Sequence, residues 1–193
     1  MNLWRSIKRR AQSGEEAEAE LIAAAQRGDR RAFDSLVGSY RPLLRGLLAR
    51  RVENAESVDD ILQETWMAAW TKLPEYTHRS RFKAWLFGIA VHKVGDHHRS
   101  RARSMAEQFT PEIERTMTTQ NDPYAAVDMR DALNSVLAQL PEAQREVIEL
   151  YYYAGLTLPE IAETLKRNQN TVKYQFYRAH DIVASGLDLV NAH

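Results

Sequence analysis

The chain has 193 residues, 26 Lys/Arg balanced by 26 Asp/Glu, and a hydrophobic fraction of 44%, enough for one or two packed domains. It has no cysteine, which excludes a disulfide framework and a cysteine-built zinc site. No apolar run approaches the roughly 18 residues that span a membrane, and no apolar signal core follows the basic start Met1–Arg10, so a cytoplasmic protein is expected.

The charge is uneven along the chain. Residues 20–103 carry fifteen bases against ten acids, net +5; residues 104–126 are net −3; residues 127–185 carry six bases against eight acids, net −2. Local basic patches matter more to nucleic-acid binding than the whole-chain balance.

Hydrophobic spacing predicts helices nearly throughout. Leu21–Gln26 and Ala32–Tyr40 carry apolar residues at helical intervals, with Pro42 kinking or restarting the second helix and Leu43, Leu44, Leu47 and Leu48 continuing its stripe. The next helix, Ser57 to Lys72, has a capping-box-like start at Ser57 and Asp60. At 100° per residue, Val58, Ile61, Leu62, Thr65 and Ala69 cluster on one side, and Asp60, Gln63, Glu64 and Met67 on the other. That outer face lacks the lysines at i+4 spacing that a solvated helix normally adds. It suits docking onto a basic or polar partner helix; a solubilising face is the alternative.

Leu73-Pro74 breaks the chain, and a fourth helix is expected from about Arg81 to Arg101 with Phe82, Trp85, Leu86, Ile89 and Lys93 on one face. A flexible linker follows, ending near the turn signal Asn121-Asp122-Pro123. Beyond it, Leu133, Val136, Leu137 and Leu140 form a stripe that Pro141 ends. Glu142–Ala154 is the next helix, with Val147, Ile148 and Tyr151 inward and Gly155 as its C-terminal cap. Thr157-Leu158-Pro159-Glu160 fits a capping box, and Ile161, Ala162 and Leu165 face inward. The chain turns at Lys166-Arg167, and Asn168 caps a last helix with Val172, Phe176, Ala179 and Val183 on its core face. The expected fold is all-α: two small helical domains joined by a flexible linker, the C-terminal one a helix-turn-helix.

The second helix of a helix-turn-helix enters the major groove. Opposite the core stripe lie Asn170, Tyr174, Tyr177 and Arg178, flanked by Thr171, Lys173 and Gln175; amides read adenine edges and basic groups read guanine or phosphate. A plain helical hairpin is the alternative. The segment from Tyr76 to Arg103 interleaves rings with bases: Tyr76, His78, Arg79, Arg81, Phe82, Lys83, Trp85, Phe87, His97, His98, Arg99, Arg101 and Arg103. Single-stranded nucleic acid is held by such a mixture of positive groove and stacking platforms. Phe82 and Trp85 fall on the apolar stripe and read as core, whereas Tyr76 and His78 precede the helix and are placed to meet an unstacked base. His92, His97 and His98 with Asp96 are candidate metal ligands, but His97 and His98 are adjacent and diverge by about 100° on a helix, where i, i+4 spacing would be needed. No metal, cofactor or catalytic constellation is expected.

The ordered motifs Asp59-Asp60-Ile61-Leu62-Gln63-Glu64-Thr65-Trp66, Leu73-Pro74, Phe82-Lys83-Ala84-Trp85-Leu86-Phe87-Gly88-Ile89-Ala90, Leu140-Pro141-Glu142-Ala143-Gln144-Arg145-Glu146-Val147, Pro159-Glu160-Ile161-Ala162 and Asn170-Thr171-Val172-Lys173 resemble an extracytoplasmic-function (ECF) sigma factor of bacterial RNA polymerase. The resemblance covers about residues 20–185. It implies sigma domain 2 at 20–103, a linker at 104–126 and sigma domain 4 at 127–185; residues 1–19 lie outside it, an N-terminal extension that reads as a flexible arm or as a DNA- or partner-binding addition, and 186–193 form a tail. It implies that Asp59, Asp60, Gln63, Glu64 and Met67 dock on the clamp coiled coil of the polymerase β′ subunit. It implies that Tyr76, His78, Arg79, Arg81, Lys83, His92, Asp96, His98, Arg99, Arg101 and Arg103 open and hold the promoter's −10 element. Arg167, Asn168, Asn170, Thr171, Lys173, Tyr174, Gln175, Tyr177 and Arg178 would read the −35 element, with that domain on the β flap. Implied partners are core RNA polymerase, promoter DNA and an anti-sigma factor, and no reaction is catalysed.

The chain departs from the family's usual pattern. Gly88 and Val91 stand where arginines are common, and His92 where asparagine is. Lys166 and Arg167 replace the turn's glycine and aliphatic residue; Tyr174 and Gln175 replace a small residue and an arginine. Two further readings follow: a sigma-like module that sequesters an anti-sigma factor, and a sigma factor recruited to DNA by another protein. A one-component regulator would need a ligand pocket, for which the sequence offers no polar constellation.

Overall fold

The computed structural model describes residues 3–77, 81–108 and 135–191, with side chains over 14–77, 81–104 and 135–185. His78, Arg79, Leu133 and most of the expected linker lie outside the described residues. The fold is all-helical: α1 (Leu3–Gln26), α2 (Arg30–Leu48), α3 (Ala55–Lys72), a 3₁₀ turn (Leu73–Glu75), α4 (Phe82–Gln108), α5 (residues 135–139), α6 (Glu142–Tyr152), α7 (Leu158–Leu165) and α8 (Gln169–Asn191). The chain divides into two units, Met1–Val94 and Gly95–His193. Among the described residues no helix is long and apolar enough to cross a membrane.

In the first unit α1 runs continuously through the boundary expected at residues 19 and 20. Ile22 and Ala25 are buried on it, and the Tyr40 hydroxyl of α2 donates to Glu18. Burial first, then the Glu18 carboxylate, hold the Tyr40 phenol well above its ordinary pKa. Gly28, at φ 94°, lets the chain reverse after α1. Asp29 then caps α2, its carboxylate accepting from the Arg31 and Ala32 N–H groups at 2.9 and 3.2 Å.

α2 continues through Pro42. The proline removes one intrahelical N–H donor. The burial of Leu36, Leu44, Leu47 and Leu48 on both sides of it, each contributing about 1.5–3 kcal/mol, outweighs that loss.

α3 buries Val58, Ile61, Leu62, Thr65 and Ala69, the five residues its periodicity singled out. Its start differs from the expectation. Asn54, extended at φ −130° and ψ 154°, is the cap, and its side chain accepts from the Ser57 N–H at 2.7 Å. Ser57 is therefore a capped residue, because the chain enters the helix three residues earlier than the apolar periodicity shows. Replacing Asn54 with alanine is expected to cost about 1 kcal/mol. Ser57→Ala should change little; equal losses in urea unfolding would return the cap to Ser57.

The carboxamide of Gln26 donates to the Leu73 and Tyr76 carbonyls at 3.1 and 2.8 Å, fixing the 3₁₀ turn against the end of α1. The first half of α4 is the centre of this unit, with Phe82, Leu86, Phe87 and Ala90 almost fully buried. The helix extends to Gln108, past the end expected near Arg101.

The second unit packs α6 and α7 against α8. Val147, Ile148 and Leu150 are buried on α6, whereas Tyr151, expected inward, is exposed at the helix end and meets Phe176 with ring centroids 4.6 Å apart. The inward stripe runs through Leu150 instead, with Glu149 buried beside it. Gly155 takes φ 62°, as a residue after a helix end commonly does, and the Leu156 N–H reaches back to the Leu150 carbonyl at 3.1 Å. The capping box at α7 is present: the Thr157 N–H and hydroxyl both donate to Glu160, at 2.8 and 2.7 Å. On α7, Ile161 and Ala162 are buried; Leu165 is only half-buried and Thr164 takes the inward place.

Candidate functional site

Three surfaces carry the residues singled out by the sequence. The first is the outer face of α3, where Asp59, Asp60, Gln63, Glu64 and Met67 are all exposed, Met67 at 63%. They stand outward because the opposite stripe is buried, which fixes the rotation of the helix. The missing i+4 lysines are supplied from other helices: Arg45 of α2 pairs with Asp59, and Lys93 of α4 with Glu64 at 2.9 Å. Exposed pairs of this kind contribute about 0–1 kcal/mol, so a basic partner can compete for both carboxylates. Neither partner was detectable in the sequence, since both are distant in the chain.

The second surface lies along α4. His92, Asp96, Arg99 and Arg103 fall within about 60° of one another around the helix axis, and all four are exposed. Arg99 and Asp96 pair at 2.5 Å, and the Arg103 Nε donates to the Arg99 carbonyl at 3.4 Å. Arg81, His98 and Arg101 are exposed and Lys83 is half-buried.

Tyr76 is a correction. It was expected to be free for an unstacked base, yet it is only 7% exposed, with its ring 5.7 Å from Phe82 and 5.1 Å from Trp85. The 3₁₀ turn after α3 brings it back onto the α4 rings, and burial of an aromatic surface outweighs exposure. Phe82 and Phe87 are core as well. Among the described residues no group of three histidines or acids is placed to hold a metal ion.

The third surface is the turn between α7 and α8 together with the first turns of α8. Lys166 occupies the left-handed region at φ 52° and ψ 42°, the place where glycine is usual. The Arg167 N–H returns to the Ala162 carbonyl at 2.9 Å, and the Asn168 side chain accepts from the Asn170 N–H at 2.8 Å. Asn168 thus caps α8 as expected. Asn170, Thr171, Lys173, Tyr174, Tyr177 and Arg178 are exposed, the two tyrosines at 63% and 61%. Arg167 and Gln175 are not. Both are half-buried, and the Arg167 guanidinium reaches Glu146 of α6 at 2.5 Å and Gln175 at 3.5 Å. Sequence reasoning placed them with the outward set because the acid that draws Arg167 inward lies on a separate helix.

The family model for Sigma-70 region 2 matches residues 36–104, and that for Sigma-70 region 4 matches residues 130–180. The chain is 34% identical over 185 residues to the ECF RNA polymerase sigma factor SigD of Mycobacterium tuberculosis (strain ATCC 25618 / H37Rv), covering 90% of this chain and 87% of that one. A solved structure of CnrH in complex with the cytosolic domain of CnrY superposes with a TM-score of 0.65 at 27% identity, covering 90% of this chain and 98% of that one. The sigma factor RpoE in complex with the anti-sigma factor NepR from Bartonella quintana shares the fold, with a TM-score of 0.65 at 24% identity over 81% of this chain and 96% of that one.

Proposed function

The chain belongs to the ECF sigma factors of bacterial RNA polymerase, and from that membership we propose how its surfaces divide the work. The protein binds core polymerase and directs promoter-specific initiation. Polymerase supplies the chemistry, and this chain supplies recognition without a catalytic step of its own. Its working compartment is the cytoplasm, with residues 20–103 as domain 2 and 127–185 as domain 4.

Asp59, Asp60, Gln63, Glu64 and Met67 form the anchor to the β′ clamp coiled coil. The observation that carries this reading is their exposure on one face of a helix whose other face is buried. The exposed strip of α4 holds the −10 element. Arg99 and Arg103 on that strip supply positive charge to the displaced strand, the exposed Arg81 and Arg101 add charge beside it, and the affinity they confer falls with salt. Unstacking a base costs a few kcal/mol, which these contacts and the polymerase together must offset.

The exposed face of α8 reads the −35 element, with that domain seated on the β flap. Asn170 matches adenine edges, Thr171 a thymine methyl, and Lys173 and Arg178 guanine or phosphate. Two modules that each bind DNA weakly gain from being tethered, provided the linker spans the two sites. An anti-sigma factor is the third partner; support comes from CnrH, 27% identical, which was solved in complex with the cytosolic domain of CnrY. The net acidic 127–185 segment, with Arg167 turned inward, favours a second reading in which another protein helps deliver this sigma factor to DNA.

Transcription in vitro with purified core polymerase and a randomised promoter library tests the proposal. Initiation from a defined pair of motifs is the expected result. No specific initiation, alongside tight anti-sigma binding, would sink it in favour of a sequestering module.

A further inference from the structure

Resting on the reading of α8 as the −35 helix, we infer that Arg167 is a positioning residue. It clamps the α7–α8 turn to α6 and so sets how α8 meets the duplex, and it does not contact DNA. Its guanidinium touches two elements at once. Nη2 lies 2.5 Å from the Glu146 carboxylate, and Nη1 lies 3.5 Å from both the Ala143 carbonyl and the Gln175 side-chain oxygen. The two 3.5 Å contacts are long for hydrogen bonds, so Glu146 is the principal anchor.

Burial supports the same assignment. The Glu146 side chain is 15% exposed and that of Arg167 31%. A partly buried carboxylate strongly favours a charged donor that stays protonated at every accessible pH, and a planar guanidinium is that donor. Reaching a phosphate would require Arg167 to give up the 2.5 Å contact to this carboxylate.

The turn has a specific need for such a clamp. Its left-handed position is held by Lys166, a residue with a Cβ, and conformations of this kind persist only where the surroundings over-determine them. Arg167 follows directly and ties the turn to the first half of α6. Gln175, in the second turn of α8, lies beside the same guanidinium, its side-chain oxygen 3.5 Å from Nη1, so the clamp stands between α6 and that helix. The DNA-facing set is therefore Asn170, Thr171, Lys173, Tyr174, Tyr177 and Arg178.

Charge exchange in the full-length chain tests the clamp. Glu146→Arg, Arg167→Glu and the double variant are compared with wild type in two measurements. One is binding to a duplex bearing the −35 sequence that wild type selects, as a function of salt. The other is hydrogen exchange at the Asn170 and Val172 amides, which are bonded to Asn168. Each single variant is expected to weaken binding and speed exchange about tenfold, and the double to recover most of both, as coupled pairs do. The slope of log K against log salt should be the same in the double variant and wild type.

The inference is overturned if Arg167→Glu weakens binding with exchange unchanged, the double gives no rescue, and the slope falls by about 0.9, the signature of one lost phosphate contact. Should Arg167→Glu fail to fold beside Glu146, Arg167→Met, which keeps an apolar stem, gives the same two readouts. If wild type selects no −35 sequence, the reading of α8 fails by itself, and rescue of exchange in the double variant still decides the clamp.

Discussion

Replacing Asp60 and Glu64 together with arginine is expected to weaken binding to core polymerase by about 100-fold or more, with helical content and unfolding midpoint unchanged. Both residues are exposed on α3, so neither substitution disturbs the buried stripe. Glu64→Arg places a second positive charge beside Lys93, but the pair it replaces is exposed and worth about 0–1 kcal/mol. Against a basic partner the effect is much larger. Like charges brought together in an interface cost several kcal/mol, and each 1.4 kcal/mol or so is tenfold in affinity. Titration of labelled core polymerase reads the result. Unchanged affinity would remove this face from the polymerase contact.

The second large effect is on stability. Phe82→Ala should destabilise the first unit by about 3–5 kcal/mol, the range for a fully buried aromatic ring. At 2% exposure, Phe82 lies 5.7 Å from Tyr40, 5.7 Å from Tyr76 and 5.4 Å from Trp85 between ring centroids. Its removal therefore leaves a hole lined by three other rings. A domain of this size loses about 4–8 °C per kcal/mol, so a thermal scan should show a drop of at least about 10 °C. An unchanged midpoint would show that the cluster is not the core described above. Tyr76→Ala belongs in the same experiment. If it leaves the midpoint alone and abolishes only promoter opening, Tyr76 returns to the DNA-contacting set.

These two predictions lie on either side of what was legible in the sequence. The α3 face was readable because periodicity alone assigns each residue of an amphipathic helix to a side, and the five expected core residues are the five buried ones. Tyr76 was misplaced because it sits in a break between helices, where no periodicity operates. The 3₁₀ turn and the Gln26 hydrogen bonds set the backbone there, and the rings of Phe82 and Trp85 receive the side chain. Asn54 was missed for a related reason: a cap is set by one residue's extended backbone, and the apolar pattern begins only afterwards.

The sequence by itself determined the all-helical fold, the inward face of α3, the capping box at Thr157 and the turn at Lys166. All of these are local, set by residues within about one or two helical turns of each other. It also carried the family resemblance, because the motifs stand in a fixed order. Tertiary structure alone decided which charges are paired across helices: Arg45 with Asp59, Lys93 with Glu64, and Arg167 with Glu146. Those pairs join residues 14 to 29 positions apart. No sequence period links such positions, and packing of the apolar faces sets which side chains come within reach.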